Sequence, residues 1–209
     1  LGKLMTLERV SYRSKTLEGL IHLELAKHLD RTREEGRRAL SLEGVSGDAE
    51  RLQRESRLAM LSKDIETRLA KALVILNEVI EFDADQVEAR LGLATLAMFR
   101  GQRPEAEKHL EPLRRRSVQD TRVIQIEAWL LAERDPAKAL ELLRPVVTQT
   151  YSNTEAQQLL ARLLITTGDL QTFDQWLALQ RDQSIVTSWA IDDLAALAAR
   201  IREEAAAAA

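Results

Sequence analysis

The side chains of this chain that could support chemistry are its three histidines and a pair of carboxylates near the middle of the sequence. His22 and His28 are six residues apart, so on a helix they point to different sides, and neither has a neighbour of the HExxH type. Asp83-Ala84-Asp85 begins like a calcium loop but lacks the glycine at the sixth position and the glutamate at the twelfth. These residues, with His109, therefore predict no metal site, and the two aspartates are typical of a turn.

Motifs for nucleotide binding and nucleophilic catalysis are also missing from the sequence. It contains neither GxGxxG nor the Walker-type GxxxxGK[ST], and its serines and aspartates have no spacing typical of an activated nucleophile. The absence of cysteine excludes disulfides, thiol nucleophiles and thiolate zinc sites. We therefore predict that the chain is not an enzyme and uses no cofactor.

The charge pattern argues against nucleic acid as a partner. Thirty basic and 33 acidic side chains leave a formal charge of −3, whereas proteins that coat DNA or RNA carry a basic excess. The basic triplet Arg114-Arg115-Arg116 would fan out by about 100° per residue on a helix, so it would form no flat phosphate-binding patch. We interpret it as a solvated helix end.

The elements that must position any site are helices. Ala, Leu, Glu and Arg dominate the 209 residues, whereas 8 Gly and 4 Pro are few. The longest stretch without a charge or a histidine is ten polar residues (145–154), well short of the ~20 apolar residues of a membrane span. The first residues lack an apolar core followed by a cleavage site, and the chain begins with Leu1. We therefore expect a piece of a longer protein that lies in the cytoplasm or the periplasm. A parent protein anchored in a membrane stays open as an alternative.

A repeat of about 34 residues organises the helical pattern. Ala72, Ala106, Ala139 and Phe173 follow one another at intervals of 34, 33 and 34 residues. Apolar residues follow the first three of these positions at four and seven residues: Leu76 and Val79, Leu110 and Leu113, Leu143 and Val146. Each unit reads as two amphipathic helices joined by a tight turn, and one such pair cannot bury both of its apolar sides alone. Pro104 and Pro136 stand where second helices would begin, a position that tolerates proline.

This period, the small residues at fixed offsets and the run from Ala70 to Asp85 resemble the tetratricopeptide repeat (TPR) family. The resemblance covers about residues 58–182 and is degenerate. Arg90, Val123 and Gln157 replace the family's early aromatic residue; Ala84, Val118 and Tyr151 replace its closing proline. Pro112 and Pro145 fall inside or near the end of second helices, where each should kink or stop its helix. The resemblance implies an all-α, right-handed α-solenoid of antiparallel helix pairs.

The flanks predict a division into three parts: an N-terminal helical extension (1–46), a repeat array (47–183) and a C-terminal capping helix with its tail (184–209). Apolar residues at 17, 20, 21, 25 and 29 predict an amphipathic helix, and the capping-box pattern of 32–35 could open a second one. The two glycines of 42–48 favour a linker. Residues 49–82 contain no Gly or Pro, so they form one long helix or two joined tightly. Residues 184–204 predict a single amphipathic capping helix, with its apolar residues at Ile185, Trp189, Leu194, Leu197 and Ile201.

The TPR resemblance also implies where a partner would bind, because the first helix of each TPR unit lines a concave groove. The positions it assigns as partner-binding are Glu88, Leu91, Thr95, Met98, Phe99, Ile124, Leu131, Gln158, Arg162 and Ile165. Arg162 is the one basic residue on this surface and no Lys or Asn accompanies it, so the carboxylate clamp of the co-chaperone class is not expected. The apolar stripe instead suits an amphipathic helix or an extended segment of another protein. Two alternatives are that the stripe is ordinary core between helices, and that the chain's own N-terminal helix fills the groove.

We therefore predict a non-catalytic protein–protein interaction scaffold or adaptor. Resemblance to bacterial chains of this kind implies a place in a larger assembly, such as secretion, pilus or exopolysaccharide machinery. Two other functions stay open. One is self-association through the helices of 1–45 or of 184–204, giving a homo-oligomer; the other is a regulatory sensor domain that binds a small effector.

Overall fold

The computed structural model describes residues 2–42, 48–116, 120–149, 153–183 and 188–207; side chains are described from residue 11 onward, except at the ends of some of these segments. Within these residues the chain forms helices and no strand, in agreement with the predicted all-α repeat fold. The helices are α1 (Gly2–Leu42), α2 (Asp48–Phe82), α3 (Val87–Phe99), α4 (Arg103–Arg115), α5 (Thr121–Leu131), α6 (Pro136–Gln149), α7 (Thr154–Thr166), α8 (Leu170–Gln183) and α9 (Ser188–Ala207). None of these helices is long and apolar enough to cross a membrane.

The predicted 34-residue period is visible as a period in burial. Ala72, Ala106, Ala139 and Phe173, on α2, α4, α6 and α8, are each completely buried. The apolar residues four and seven positions after the first three are also at most 1% exposed. Small side chains at these points let neighbouring helices pack closely, and the apolar residues one and two turns later fill the space between them.

The turns between paired helices follow from glycine and proline chemistry. Gly101 and Gly168 have positive φ angles of 70° and 78°, which a residue without Cβ adopts at little cost. At each turn the amide after the glycine donates to a carbonyl five residues back, Gln102 to Ala97 at 2.8 Å and Asp169 to Leu164 at 2.9 Å. These bonds form Schellman-type ends for α3 and α7. Pro104 lies in the first turn of α4, and α6 begins at Pro136, as predicted.

Pro112 and Pro145 do not stop their helices, so that alternative of the prediction is wrong. Helix α4 continues to Arg115, three residues past Pro112, and α6 continues to Gln149, four residues past Pro145. Both prolines stand in the last turns, where each removes one backbone hydrogen bond close to the helix end.

The chain divides into two compact units, Leu1–Ser117 with α1–α4 and Val118–Ala209 with α5–α9. The division into 1–46, 47–183 and 184–209 stays a prediction. In the first unit, α1 runs along α2, with the Lys15 ammonium 2.7 Å from a Glu78 carboxylate oxygen and the Tyr12 ring stacked on that of Phe82. The Cβ of an alanine at Gly19 would lie 2.8 Å from Leu76 of α2. The missing side chain is therefore what lets the two helices approach.

Helix α1 differs from the sequence prediction in two respects. It is continuous through the expected capping box, because Thr32 Oγ1 donates to the His28 carbonyl within the helix instead of capping a new one. Its buried face consists of Thr16, Gly19, Leu23 and Ala26, whereas Leu17, Ile21 and Leu25 are 62%, 58% and 39% exposed. Thr16, Gly19 and Ala26 let this face approach its neighbours and Leu23 fills the core there, whereas Leu17, Ile21 and Leu25 are left outside.

The predicted linker falls mainly on residues 43–47, which lie outside the described residues. Residues 49–82, for which one helix or two were expected, form the single helix α2. The C-terminal helix α9 is described from Ser188 to Ala207, and residues 184–187 of the predicted helix lie outside the described residues. It buries Ala190, Ile191, Leu194 and Ala198 against the core of the second unit. The side chains of Ile185 and Trp189, expected on the same face, lie outside the described residues.

Candidate functional site

One wall of the candidate site is formed by α7 in the second unit. Gln158, Arg162 and Thr166 stand four residues apart, so they form one line along the helix over about 12 Å. The opposite side of α7 is buried through Ala161, Leu163 and Leu164, and this burial holds the line of polar side chains outward.

The start of α7 is held by an asparagine that also contacts a neighbouring helix. Asn153 Oδ1 accepts from the Ala156 amide at 3.1 Å, which satisfies one of the first free donors of the helix. Its Nδ2 donates to Gln125 Oε1 on α5 at 2.7 Å, and Gln125 is only 7% exposed. This polar contact fixes the position of α7, and with it the wall, relative to α5.

The other wall is formed by α9. Together with the α7 wall it encloses a groove of about 690 Å³, a volume within the range of binding pockets. The α9 residues that line it are Ala190, Asp193, Leu194, Ala196, Leu197 and Arg200. Ala190 and Leu194 are each 5% exposed and Leu197 is half-buried, so the floor is apolar. We call this feature the α7–α9 groove.

Each wall of the α7–α9 groove carries one arginine. Among the residues that the structure describes, no carboxylate forms an ion pair with the exposed Arg162. Arg200 is 3.7 Å from a Glu204 carboxylate oxygen, and both side chains are 69% exposed, so this pair contributes little to stability. Asp193 adds one negative charge to the lining. The groove therefore combines an apolar floor with two guanidinium groups able to bind a carboxylate.

Two of the ten residues predicted to bind a partner, Gln158 and Arg162, line this groove. Leu91 and Ile165 are 3% and 1% exposed, so they lie in the core. For these two residues the stripe is ordinary core between helices, which was one of the alternatives. Ile124 and Leu131 are partly buried against the core of the second unit.

The other four predicted residues lie on α3 in the first unit. Phe99 packs against a cluster that includes Leu23 and Ala26 of α1. Glu88 is exposed, and Thr95 and Met98 are half-buried. These four residues therefore belong to a surface of the first unit, whereas the groove belongs to the second.

The sequence pattern does not predict the α9 wall. Residues 194, 197 and 201 form an apolar stripe in the sequence, which predicts only a cap that covers the end of the array. The sequence feature that could have indicated this wall is Arg200, a charged residue that directly precedes Ile201 of the apolar stripe. The pattern could not reveal that this edge of α9 faces α7.

The remaining candidates for chemistry are accounted for by structural contacts. Arg114 and Arg115 pair with Glu111, and Arg116 pairs with Asp85 at 3.2 Å. Asp83 Oδ1 accepts from the Asp85 amide at 3.1 Å, which makes a turn between α2 and α3. Within the described residues no group of three His, Asp or Glu side chains could hold a metal ion.

His109 is the one buried histidine among the described residues, 6% exposed on α4. Its Nδ1 has no hydrogen-bond partner there, and its Nε2 is 3.9 Å from Glu105. Burial lowers the pKa of His109, and the positive charges of Lys108 and Arg90 act in the same direction, whereas Glu105 opposes them. The imidazole is therefore held in its neutral form and is a structural group.

Comparison with known proteins supports a TPR-like repeat over part of the chain. A model of the tetratricopeptide repeat family matches residues 65–130, which extend from the second half of α2 through α3 and α4 into α5. No curated protein and no solved structure matches the chain.

Proposed function

We propose, from the premise that this chain is a TPR-like repeat protein, that it is a non-catalytic scaffold whose α7–α9 groove holds a segment of a partner protein. TPR repeats generally mediate protein–protein interaction and are typically non-catalytic. The observation that carries the proposal is the groove itself, with its apolar floor and one arginine on each wall.

The chemistry of the groove favours an amphipathic helix or an extended segment. Its apolar side chains would cover Leu194 and Leu197, and burial of apolar surface contributes about 25 cal/mol per Å². Arg162 and Arg200 would orient the segment, because a guanidinium can donate two parallel hydrogen bonds to one carboxylate. Gln158 and Thr166 supply further polar contacts along the α7 wall.

The wider set of predicted contacts on α3 remains a second part of the proposal. Glu88, Thr95 and Met98 are accessible to a partner, and Met98 offers adaptable apolar packing. The TPR resemblance further favours work within a larger bacterial assembly, such as secretion, pilus or exopolysaccharide machinery.

Capture of partners from an extract of the cells that contain the protein tests the groove. The immobilised parent chain is compared with Arg162→Glu and with Arg181→Glu, a matched control on α8 outside the groove. We expect a protein retained by the parent and by the control to be lost from Arg162→Glu. Equal retention by all three chains would show that the groove does not bind the partner, and crosslinking from Met98 would then test the α3 surface.

A further inference from the structure

Helix α1 carries an apolar stripe that no described residue covers. Leu17, Ile21 and Leu25 stand four residues apart, so they form one line of about 12 Å. They are 62%, 58% and 39% exposed, whereas another face of the same helix is buried through Thr16, Leu23 and Ala26. We call these three residues the α1 stripe.

Two glutamates border the α1 stripe, one on each side. At about 100° per residue, Glu24 lies next to Leu17 on one edge and Glu18 lies next to Leu25 on the other. Both glutamates are exposed. Glu24 accepts from Lys27 at 2.9 Å, but its side chain is 64% exposed, so a new partner could replace that contact at little cost.

The α7–α9 groove matches the α1 stripe in length and charge. Its α7 wall, from Gln158 to Thr166, also spans eight residues or about 12 Å. The lining of the groove carries two arginines and one carboxylate, Asp193, so it keeps a net positive charge around its apolar floor. The stripe is an apolar ridge between two glutamates. Such pairing of apolar surface and opposite charge favours association and fixes its register.

We propose that the α1 stripe of one copy of this chain occupies the α7–α9 groove of a second copy. This inference rests on the proposed function of the groove and names its partner. Leu17 and Ile21 cover Leu194 and Leu197, while the glutamates beside the stripe face Arg162 and Arg200. The two surfaces differ, so the contact is heterologous. It involves one helix face, so the association is weak and reversible.

Sedimentation velocity over a dilution series of the whole chain tests this proposal. We expect the mass of the parent to rise with concentration. Ile21→Asp places a charge in the middle of the stripe, and Arg162→Glu reverses one charge of the groove. Each variant should raise the apparent dissociation constant at least about tenfold. Val74→Asp is the matched control, because Val74 is 58% exposed, like Ile21, but lies on α2. The control should associate like the parent.

A mixture of the two defective variants provides a sharper test of the heterologous contact. In an equimolar mixture, the Arg162→Glu copy supplies an intact stripe and the Ile21→Asp copy supplies an intact groove. We expect complexes of two chains and nothing larger. Circular dichroism first confirms that both variants are helical; if either unfolds, Leu17→Glu and Arg200→Glu replace them.

A parent that stays monomeric up to ~1 mM would overturn the proposal, since that concentration corresponds to only about 4 kcal/mol of binding free energy. A mixture that stays monomeric would overturn it as well. Neither result would affect capture of another protein by the groove, so failure of this inference is distinguishable from failure of the proposed function.

Discussion

Helices α3 and α7 occupy equivalent places in the repeat, 67 residues apart, yet the same face is packed in α3 and forms a wall of the groove in α7. Leu91, Thr95 and Phe99 of α3 correspond to Gln158, Arg162 and Thr166 of α7. Leu91 is buried and the other two α3 residues are half-buried, whereas Arg162 and Thr166 are exposed. Helix α1 also covers a neighbouring face of α3, with Leu20 against the backbone at Gly92. The neighbours of a repeat position therefore decide whether its side chain is packed or exposed.

The second helices of the same two repeats differ in how they satisfy a buried polar group. His109 on α4 corresponds to Trp176 on α8, and Arg90 corresponds to Gln157. Trp176 Nε1 donates to Gln157 Oε1 at 2.8 Å inside the second unit. In the first unit His109 Nδ1 has no partner among the described residues, and the arginine that replaces the glutamine disfavours a proton on the imidazole. The buried indole N–H of the α7–α8 pair therefore has an acceptor, whereas the buried imidazole of the α3–α4 pair is kept neutral without one.

The largest expected effect comes from the equivalent core leucines, Leu76 on α2 and Leu143 on α6. Both are completely buried, so substitution by alanine should cost about 2–5 kcal/mol. Hydrogen exchange should show lost protection in α1–α3 for Leu76→Ala and in α5–α7 for Leu143→Ala. The same pattern of lost protection in both variants would contradict this assignment of the two leucines to separate units.

Next in size is Gln157→Leu, which removes the acceptor of both Trp176 Nε1 and Gln180 Nε2 inside the second unit. We expect a loss of about 1–3 kcal/mol in the free energy of unfolding, measured by denaturant titration. Trp176→Phe removes the indole donor, so it should cost less stability in the Gln157→Leu background than in the parent. This difference is the coupling energy of the double-mutant cycle. An additive cycle would mean that the hydrogen bond does not couple the two residues.

A smaller effect is expected at Gly92, where the equivalent residue of α7 is Leu159. The Cβ of an alanine at Gly92 would lie 2.8 Å from Leu20 and 2.9 Å from Leu76, and such overpacking costs about 1–3 kcal/mol. The gain in helix propensity is ~1 kcal/mol, so the net loss is up to about 2 kcal/mol. Thermal unfolding measures it against Gly36→Ala, where the close contact is with the end of one Leu58 side chain. If the two variants unfold alike, packing of α1 on α3 is not tight at Gly92.

The smallest effect is the pH dependence that His109 adds to the first unit. Its pKa is lowered in the folded chain, so the unfolded chain binds a proton more readily as the pH falls through about 6.5. Stability is therefore lost from that pH down to the folded pKa, at no more than about 1.4 kcal/mol per pH unit. Denaturant titrations at pH 7.5 and 5.5 should show a smaller difference for His109→Leu than for the parent. His22→Gln is the control, and an equal change in both variants would contradict the assignment.

Much of the repeat could be read from particular residues. The alanines at 72, 106 and 139 had to be buried, because only small residues at a fixed period let helix pairs stack. The prolines at 104 and 136 marked helix starts for an equally local reason, since proline lacks the N–H that has no partner there. Arg162 and Gln158 were predicted as surface positions from the repeat register, which is also a local property.

The exposed face of α1 and the second wall of the groove could not be read in this way. Helix α1 has more apolar positions than one face can bury, and the close approach at Gly19 selected the face that packs on α2. Arg200 and Arg162 line the same groove only because α9 lies against α7. Periodicity along one helix determines which residues share a face. Which neighbour a face meets depends on contacts between residues far apart in the chain. Only the tertiary structure decides these contacts.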